Sequence, residues 1–396
     1  MIDFSLTEEQ LDVQKIARDF AQKIKPLGIE ADRIPDPKDV FPRISEVVRE
    51  GIELGFNTMV IPREYGGRGL DHRTMGIAFE ELAAGDIGIA GVLGISNIAW
   101  LPLILGGTEE QKKEWLGKVC SSDPGDLFIG CWAATEPQGL SVDIDALLEG
   151  KLAGITLKTV ARPEGKDYII NGQKCFITGG GIAKLCLLLA NTPEGPAHFI
   201  VPTDNPGFSV GKIEDMMGHR CMNDAELFFD NMRIPKENMV GGQAGGFIEL
   251  ARAVGYSDAW VGALAVGLGR AAYEAALEYS KIRVLGKPII MFQAVAMMIA
   301  DMFLELEAAR SLVWKSLWVN DTQDAPDSKL AAAAKVLASD TAMKVATNAV
   351  QVYGGAGYMK ENPVEKYMRD AKVSQIYEGT NELLRIMISM LLGFGM

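Results

Sequence analysis

Histidine and cysteine are scarce in this chain, and their scarcity excludes several kinds of site. Its 396 residues include three histidines and five cysteines, and no two cysteines form a CxxC pair. No histidine has a metal-ligand spacing to a cysteine, so the sequence predicts neither a zinc site nor a disulfide framework. Cysteines within apolar runs, such as Cys186 between Leu185 and Leu187, are typical of reduced core residues in an intracellular protein.

Positive charge is also in deficit. Lysine and arginine number 39 against 52 aspartates and glutamates, which gives a formal net charge of −13. An acidic surface repels phosphate backbones and anionic lipids, so neither nucleic acid nor a membrane surface is expected as a partner. No secretory or transit peptide is visible before the first helical pattern, which favours a cytoplasmic location or a mature form that has already been processed.

One long run without charge, residues 87–107, could span a bilayer by its length. Gly88, Gly91, Gly94 and Pro102 interrupt this run, and no cluster of lysine or arginine flanks it. We therefore expect a buried helix pair within a helical domain, and no membrane insertion.

The spacing of apolar residues changes twice along the chain, which is long enough for two or three domains. Residues 1–122 and 239–396 repeat apolar positions at helical spacing, whereas residues 123–238 consist of short β-type runs. Within the β region, Asn171-Gly172 is a dipeptide typical of a two-residue hairpin turn. This order predicts the α+β class: an N-terminal helical domain, a middle β-barrel or sandwich domain, and a C-terminal helical domain with four to six long helices.

The stretch Ile376-Tyr377-Glu378-Gly379-Thr380-Asn381-Glu382 is the most informative part of the sequence. Glu378 stands at a predicted loop-to-helix junction among apolar residues. Desolvation there would raise the pKa of its carboxyl group and make it a stronger base. The alternative is an ordinary glutamate in a first helical turn, where it complements the helix dipole.

Four other segments accompany this stretch: Thr135-Glu136-Pro137, Ile170-Asn171-Gly172-Gln173-Lys174-Cys175-Phe176-Ile177-Thr178, Gln351-Val352-Tyr353-Gly354-Gly355-Ala356-Gly357-Tyr358 and Pro363-Val364-Glu365-Lys366-Tyr367-Met368-Arg369-Asp370-Ala371-Lys372. In this order and at these spacings, the chain resembles the acyl-CoA dehydrogenase family over nearly its whole length. The resemblance implies a C-terminal four-helix bundle, an FAD cofactor and an acyl-CoA substrate. It implies an α,β-elimination in which Glu378 removes the α-proton and the β-hydrogen leaves as hydride to the flavin. It also implies a homotetramer, with electron-transfer flavoprotein as electron acceptor.

The same resemblance assigns roles to individual residues. Three groups of residues would contact FAD. The residues that would form the wall of the flavin ring are Trp132, Thr135, Ser141, Phe176 and Thr178. A neighbouring subunit would contact the pyrophosphate and adenosine through Arg283, Gln293, Gln351, Gly354 and Gly355, and the last group, which follows the base in the sequence, is Thr380 and Glu382. The residues implied to bind substrate are Ser141, Asp258, Tyr377 and Gly379.

The chain departs from the family pattern at several places. Asp258 stands where the family commonly has an arginine, and an insert occupies about residues 147–157. Another branch of the family has its base near Ser257, which cannot serve as a carboxylate base, so Glu378 remains the candidate. We hypothesise that Asp258 lines the acyl pocket, raises the pKa of Glu378 and indicates an unusual substrate. The alternative is that Asp258 faces solvent.

Other functions were weighed on the same residues. Ser209 lies in Gly207-Phe208-Ser209-Val210-Gly211, which matches the nucleophile elbow of serine hydrolases but falls between predicted strands. Gly267-Leu268-Gly269 resembles part of a dinucleotide fingerprint but follows a helical run. An acyl-CoA oxidase and an enoyl-CoA reductase remain as alternatives on the same fold. The small apolar stretch 91–100 admits a short or medium, branched or alicyclic acyl group.

Overall fold

The N-terminal part of the chain is helical. The computed structural model describes residues 4–138, 141–142 and 155–393. A capping box of Thr7 and Gln10 starts the first helix, because each side chain accepts a hydrogen bond from the other residue's backbone N–H. The helices of this region are α1 (Glu8–Asp32), α2 (Val40–Glu53), α3 (His72–Gly106) and the short α4 (Glu109–Gln111) and α5 (Gly117–Ser121).

Helix α3 holds the long apolar run. Among the described helices it alone is long and apolar enough to cross a membrane, and 89% of its apolar window is buried inside the protein. The helix is kinked at Asp86, whose backbone is extended and whose carboxylate accepts a hydrogen bond of 2.9 Å from the Ile89 N–H. The break between two helical segments therefore lies at Asp86, immediately before the apolar run. The helix pair was predicted within that run, so its position was wrong.

The middle region is a β domain built on a seven-stranded mixed sheet. Its strand order is β1-β6-β4-β5-β9-β8, with β7 paired to β6, and β2 and β3 form a separate two-stranded ladder. The strands are β1 (Gly130–Ala133), β2 (Ser141–Val142), β3 (Ile155–Thr156), β4 (Val160–Glu164), β5 (Asp167–Ile177), β6 (Leu185–Thr192), β7 (Gly195–Pro202), β8 (Phe208–Ile213) and β9 (Ala225–Pro235).

The predicted hairpin turn at Asn171-Gly172 is wrong. Both residues lie inside β5, where the register with β9 shifts between Ile170 and Gly172. A glycine within a strand often marks such a bulge or a close approach, and a Cβ at Gly172 would lie 2.5 Å from the Thr159 hydroxyl oxygen. The turn that joins β4 to β5 instead contains Gly165, which has a positive φ of 61°.

The C-terminal part of the chain is again helical. Its elements are α6 (Gly246–Ile282), a small hairpin of β10 (Val284–Leu285) and β11 (Lys287–Pro288), α7 (Gln293–Thr322), α8 (Ser328–Tyr353), α9 (Val364–Ser374) and α10 (Asn381–Leu391). The glycine pattern at residues 267–269 lies inside α6, and a Cβ at Gly267 would lie 2.2 Å from the Glu80 carbonyl oxygen in α3. These glycines therefore allow close helix packing. The order of helical, β and helical regions confirms the predicted α+β class.

Candidate active site

Glu378 lies in the turn between α9 and α10. Glu378 and Gly379 have positive φ angles of 54° and 93°, a backbone conformation that is rare for a residue other than glycine. Helix α10 begins only afterwards, where the Thr380 hydroxyl accepts a hydrogen bond of 3.2 Å from the Leu383 N–H. Glu378 thus precedes the helix cap, and the alternative of a first-turn glutamate does not hold.

The Glu378 carboxyl group is placed where a base would be effective. The Ser257 hydroxyl in α6 donates to Glu378 Oε2 at 3.1 Å. Burial raises the pKa of Glu378, although the hydrogen bond from Ser257 and the charge of Lys335 act to lower it. Ser257, near which the resemblance places the base of another branch of the family, therefore orients Glu378 instead.

Lys335 fixes the turn that carries Glu378. This residue of α8 is fully buried, and its ammonium group donates to the Gly379 carbonyl at 2.8 Å and to Asn381 Oδ1 at 3.0 Å. Burial lowers the pKa of Lys335 to about 8, although the charges of Asp258 and Glu378 act to raise it. Sequence reasoning missed this residue, and its one signal was a lysine inside the apolar run 330–338.

Asp258 is buried beside Glu378 and Lys335. Its side chain is 1% exposed, so it does not face solvent. Neither carboxyl oxygen has a hydrogen-bond partner within the part of the chain that the structure describes. Burial, followed by the charge of Glu378, raises the pKa of Asp258 well above its usual range, and the charge of Lys335 opposes this. Glu378 thus has a second carboxyl group, that of Asp258, as its neighbour.

Tyr377 brings the middle domain to the same turn. Its hydroxyl group is enclosed, and burial raises its pKa. The Tyr377 ring meets the ring of His219 edge-on, with centroids 5.9 Å apart. His219 Nδ1 lies 2.9 Å from the sulfur of Met222, and both residues are buried. A Cβ at Gly91 of α3 would meet the Met222 side chain at 2.6 Å, so no open space separates α3 from these side chains there.

Four of the predicted flavin contacts lie on or just after two strands of the β domain, β1 and β5. Trp132 is in β1 and Thr135 follows it, while Phe176 is near the end of β5 and Thr178 directly follows that strand. The Cys175 N–H donates to the Thr135 carbonyl at 3.1 Å and joins the two segments. Phe176 has a positive φ of 55° and is 65% exposed, which presents a large apolar ring at the surface.

The remaining flavin-wall residues are placed differently. Burial raises the pKa of Asp224 to about 6, although the nearby Thr178 side chain acts to lower it. Thr178 therefore lies close to a buried carboxyl group. The backbone of Ser141 lies in β2, but its side chain, like most of the predicted insert at residues 147–157, is outside the described residues.

A buried ion pair anchors the segment after β1. The Glu136 carboxylate accepts hydrogen bonds from the Lys158 N–H at 2.7 Å, the Thr159 N–H at 2.8 Å and the Lys174 ammonium at 3.0 Å. Burial acts to raise its pKa, but the two N–H groups and the charge of Lys174 lower the pKa of Glu136 to about 2. Burial lowers the pKa of Lys174 to about 8 against the charge of Glu136. The pair holds Thr135 and Glu136 against β5.

Lys174→Met is expected to destabilise the protein by about 3–5 kcal/mol, because it leaves the Glu136 carboxylate buried without its cation. The pKa of Glu136 is lower in the folded chain than its unfolded value of about 4.3. Its contribution to stability is therefore present above pH 4.3 and is lost as the pH falls towards 2. Urea unfolding measures both effects, with the exposed Lys184→Met as the matched control. An unchanged unfolding midpoint for Lys174→Met would contradict the assignment.

Three residues of the second group of predicted FAD contacts line a separate cleft of about 400 Å³. Arg283 after α6, and Gly354 and Gly355 after α8, line this cleft beside a stacked pair of tyrosines, Tyr279 and Tyr353, whose ring centroids are 3.9 Å apart. A Cβ at Gly354 or Gly355 would meet no atom within 4 Å, so their backbone is open to a ligand. None of the flavin-wall residues lines this cleft.

The last predicted contacts lie on exposed helix ends. Gln293 begins α7, Gln351 is in the last turn of α8, and Glu382 is in the first turn of α10, all with exposed side chains. Thr380 caps α10 and is also exposed. One chain therefore does not bring the flavin-wall residues and the Arg283 cleft into a single pocket.

The serine hydrolase alternative is not supported by the geometry. Ser209 lies within β8, opposite Phe228 of β9, and the strand continues to Ile213 instead of turning into a helix. His219 is buried beside Met222 and Tyr377, so it faces a different part of the domain. Ser209 has none of the strand-to-helix geometry of a nucleophile elbow.

Comparison with known proteins agrees with this geometry over the whole chain. Residues 7–123, 131–232 and 245–392 match the acyl-CoA dehydrogenase N-terminal, middle and C-terminal domains. The chain belongs to the acyl-CoA dehydrogenase family. It is an oxidoreductase that acts on CH–CH bonds. Glu378 stays the predicted base of this enzyme, and burial raises the pKa of its carboxyl group.

Several acyl-CoA dehydrogenases resemble the chain from end to end. The cyclohex-1-ene-1-carbonyl-CoA dehydrogenase of Geobacter metallireducens is 37% identical over 396 residues, covering 98% of this chain and 99% of that one. The butyryl-CoA dehydrogenase structure from Megasphaera elsdenii has a TM-score of 0.88 at 36% identity, covering 99% and 100% of the two chains. A chain in the solved structure of the electron transferring flavoprotein of Acidaminococcus fermentans has a TM-score of 0.88 at 38% identity, covering 99% of each.

FAD is the cofactor of this enzyme, as in family structures that contain it. The FAD complex of PigA shares the fold with a TM-score of 0.86 at 27% identity, covering 99% of this chain and 100% of that one. The residues present fit such a group. The exposed Phe176 ring offers a flat apolar surface for a heterocycle, and Arg283 beside open glycine backbone offers charge and close approach to phosphates.

Proposed function

We propose that this acyl-CoA dehydrogenase acts on a short-chain or compact alicyclic acyl-CoA, with Glu378 as the base. The observation that supports this most is the Glu378 turn: a half-buried side chain whose carboxyl group has a raised pKa, held by Ser257 on one side and by a turn that Lys335 fixes on the other. A desolvated, oriented carboxylate is the group that abstraction of a weakly acidic α-proton requires.

In the proposed reaction, one carboxylate oxygen of Glu378 accepts the α-proton while Ser257 steadies Oε2. The Glu378 N–H donates to no acceptor within the described ranges, so it is available to the thioester carbonyl and would stabilise the charge that develops there. Bound FAD would supply the acceptor for the β-hydrogen, which leaves as hydride. The substrate thereby loses a proton and a hydride and becomes an enoyl-CoA.

The size of the acyl group is inferred from what surrounds Tyr377. Buried His219 and Met222 fill the space between Tyr377 and Gly91 of α3. From the sequence, the stretch 91–100 of α3 and Tyr377 are assigned to the acyl group. Because bulky side chains occupy the space between them, a short or compact acyl group is favoured over a long chain. The names of two similar enzymes, a butyryl-CoA and a cyclohexene-carbonyl-CoA dehydrogenase, support the same range.

Anaerobic titration of the purified flavoprotein with acyl-CoAs tests the proposal. The panel contains straight-chain, branched, dicarboxylic and alicyclic acyl groups, and bleaching of the visible flavin band reports reduction. Bleaching by butyryl-CoA or an alicyclic acyl-CoA, but not by palmitoyl-CoA, is the expected result. Bleaching by long chains alone would contradict the proposed size. The enoyl-CoA reductase alternative would be favoured by a different result: no acyl-CoA bleaches the flavin, but enoyl-CoA reoxidises the flavin after it has been reduced chemically.

We also propose that the electrons pass to an electron-transfer flavoprotein. The similarity to a chain from the Acidaminococcus fermentans flavoprotein structure supports this partner. Repeating the titration in air distinguishes the acyl-CoA oxidase alternative, because an oxidase would turn over with oxygen and form hydrogen peroxide, whereas the proposed enzyme would need the flavoprotein for rapid turnover.

A homotetramer in which subunits share each FAD is the proposed assembly. The Arg283 cleft and the flavin-wall residues are separate within one chain, which a neighbouring copy could resolve by bringing its cleft to this chain's flavin wall. Exposed apolar side chains near the cleft and along α7, including Leu285, Met297 and Leu304, are 62%, 58% and 62% exposed. Apolar surface of this kind is typical of a subunit interface.

Leu304→Glu is expected to dissociate the assembly and to lower its FAD content, because a charge would be buried at the interface. Light scattering after gel filtration gives the mass, and the absorbance ratio of flavin to protein gives the occupancy. Val210→Glu is the matched control, since Val210 is an exposed apolar residue of the β domain. A monomeric wild-type protein that retains its flavin would contradict the shared site.

A further inference from the structure

The indole of Trp132 is tied to two residues that the resemblance does not assign. Trp132 Nε1 donates to His198 Nε2 in β7 at 3.1 Å, and His198 Nδ1 lies 2.9 Å from Glu249 Oε2 in the first turn of α6. The His198 side chain is fully buried, and that of Glu249 is 12% exposed. The three groups form one hydrogen-bonded chain from the flavin wall to the C-terminal helical region.

The donors and acceptors of this chain fix the state of His198. An indole N–H can only donate, so His198 Nε2 must be the unprotonated acceptor. His198 Nδ1 therefore carries the proton and donates it to the Glu249 carboxylate. Burial lowers the pKa of His198, against the opposing effect of Glu249, which agrees with a neutral ring. Both ring nitrogens are thus used, and the imidazole has one orientation.

Glu249 is itself held at the meeting point of three segments. A Cβ at Gly106, the last residue of α3, would lie 2.5 Å from Glu249 Oε1, and one at Gly245 would lie 3.0 Å from the same atom. A side chain at Gly106 would displace the carboxylate from this position, and one at Gly245 would crowd it. The hydrogen-bonded chain therefore connects β1 and β7 of the β domain to the end of α3 and the start of α6.

We infer that His198 and Glu249 are positioning residues that hold the Trp132 indole in the orientation that the bound flavin needs. This inference rests on the proposed function in one respect, the placement of Trp132 against the flavin. The indole is only partly buried, so its packing leaves the ring some freedom to rotate, and the hydrogen bond at Nε1 removes that freedom. A purely structural network would join the same domains without affecting the flavin.

A double-mutant cycle on the holoenzyme separates these two roles. His198→Leu removes the acceptor of the indole N–H, and Trp132→Phe removes the donor. We expect His198→Leu to weaken FAD binding about tenfold and to change the visible flavin spectrum. In the Trp132→Phe background the same substitution should have no further effect, because the group through which His198 acts is absent.

A second pair of variants tests Glu249 in the same way. Glu249→Gln keeps an oxygen that accepts from His198 Nδ1–H and should retain the wild-type flavin affinity. Glu249→Leu removes it and should resemble His198→Leu. In protein labelled with 5-fluorotryptophan, the resonance assigned to Trp132 by its loss in Trp132→Phe should broaden or shift in the two leucine variants and stay in place in Glu249→Gln.

The outcomes are distinguishable from those of the proposed function. Equal effects of His198→Leu with and without the Trp132 indole would overturn the inference, even if acyl-CoA bleaches the flavin. An unchanged flavin affinity and spectrum in Trp132→Phe would overturn it as well. Coupled effects on flavin affinity and on the fluorine resonance would support it, even if no acyl-CoA in the panel reduces the protein.

Discussion

Glu378→Gln is expected to lower the rate of flavin reduction by acyl-CoA by about 1000-fold or more, since general-base catalysis contributes about 10²–10⁴. Glutamine has nearly the shape of glutamate, and its amide oxygen can still accept the hydrogen bond from Ser257. It cannot take up the α-proton at neutral pH. The loss should therefore fall on kcat and on the single-turnover rate, with little change in acyl-CoA binding.

The measurement is stopped-flow bleaching of the flavin band under anaerobic conditions, with binding followed separately by the spectral shift that a product enoyl-CoA causes. Glu361→Gln is the matched control, because Glu361 is exposed in the loop before α9 and has been given no part in binding or catalysis. A Glu378→Gln enzyme within tenfold of the wild-type rate would show that another group removes the proton.

The stability of Glu378→Gln tests whether unfolding could cause the loss of rate, and we expect that it does not. Burial raises the pKa of Glu378 in the folded chain above its unfolded value of about 4.3. The carboxyl group therefore favours the folded state least at high pH, and its unfavourable effect grows as the pH rises above 4.3. Glu378→Gln removes this effect, so its urea midpoint at neutral pH should equal or exceed that of the wild type.

The parts of the site that sequence could predict are local ones. The stretch 376–382 places Glu378 next to a glycine and ahead of a capping threonine, and those residues indicate a turn followed by the start of α10. The alternation of apolar residues likewise gave the order of helical and β regions. Both depend on neighbours within a few positions of the chain.

The contacts that sequence missed join distant segments. Lys335 reaches Gly379 across 44 positions, and His198 reaches Trp132 across 66. A lysine in a helical pattern is normally expected at the surface, and only the packing of α8 against the turn shows that its ammonium group is needed there. The Asn171-Gly172 prediction failed for a related reason, because pairing with β9 uses those residues as a bulge and overrides their local preference.

The placement of Asp258 could be predicted only in part from the sequence. The resemblance gave its position in α6, but the rotation of the helix about its axis decides whether that position faces solvent or α8. The structure shows it facing inwards, next to Lys335 and Glu378. The titratable groups around this cluster are Asp258, Lys335, Asp340, Tyr377, Glu378 and Glu382.

Replacing Asp258 is expected to move the pH dependence of flavin reduction by an amount that depends on the new charge. Asp258→Arg places a cation beside Glu378, and a nearby opposite charge lowers a carboxyl pKa by roughly 1–3 units. The acid limb of the single-turnover pH profile, which reports ionisation of the base, should move to lower pH by that amount. At a pH on that limb the rate should rise about 10-fold to 1000-fold, since each unit is a factor of ten.

Asp258→Asn is the matched variant that identifies the wild-type charge state. Burial, followed by the charge of Glu378, raises the pKa of Asp258 well above its usual range, which favours a protonated Asp258. Neutral asparagine should therefore leave the acid limb where it is. A shift to lower pH in Asp258→Asn would show instead that Asp258 is ionised and raises the pKa of the base, as the sequence hypothesis states. This variant also keeps the test informative if the arginine variant does not fold.

The stability of Asp258→Asn follows from the same sign. The folded-state pKa of Asp258 lies above its unfolded value of about 3.9, so the aspartate disfavours the folded state increasingly as the pH rises above 3.9. Asp258→Asn should thus be more stable than the wild type at pH 7, and this gain should vanish below pH 3.9 in urea titrations. Equal stability of the two proteins at both pH values would mean that the side chain is solvated in the folded enzyme.

Substrate range decides whether Asp258 also lines the acyl pocket. Its two oxygens have no partner within the described chain, and an unpaired buried carboxyl group is a strong discriminator between ligands that can and cannot donate to it. Asp258→Arg should then change the order in which the acyl-CoA panel bleaches the flavin, beyond the common effect on the pKa of Glu378. If the rate with every acyl-CoA instead changes by the same factor, Asp258 acts on the base alone. The side chains around Tyr377 would then determine which acyl group is accepted.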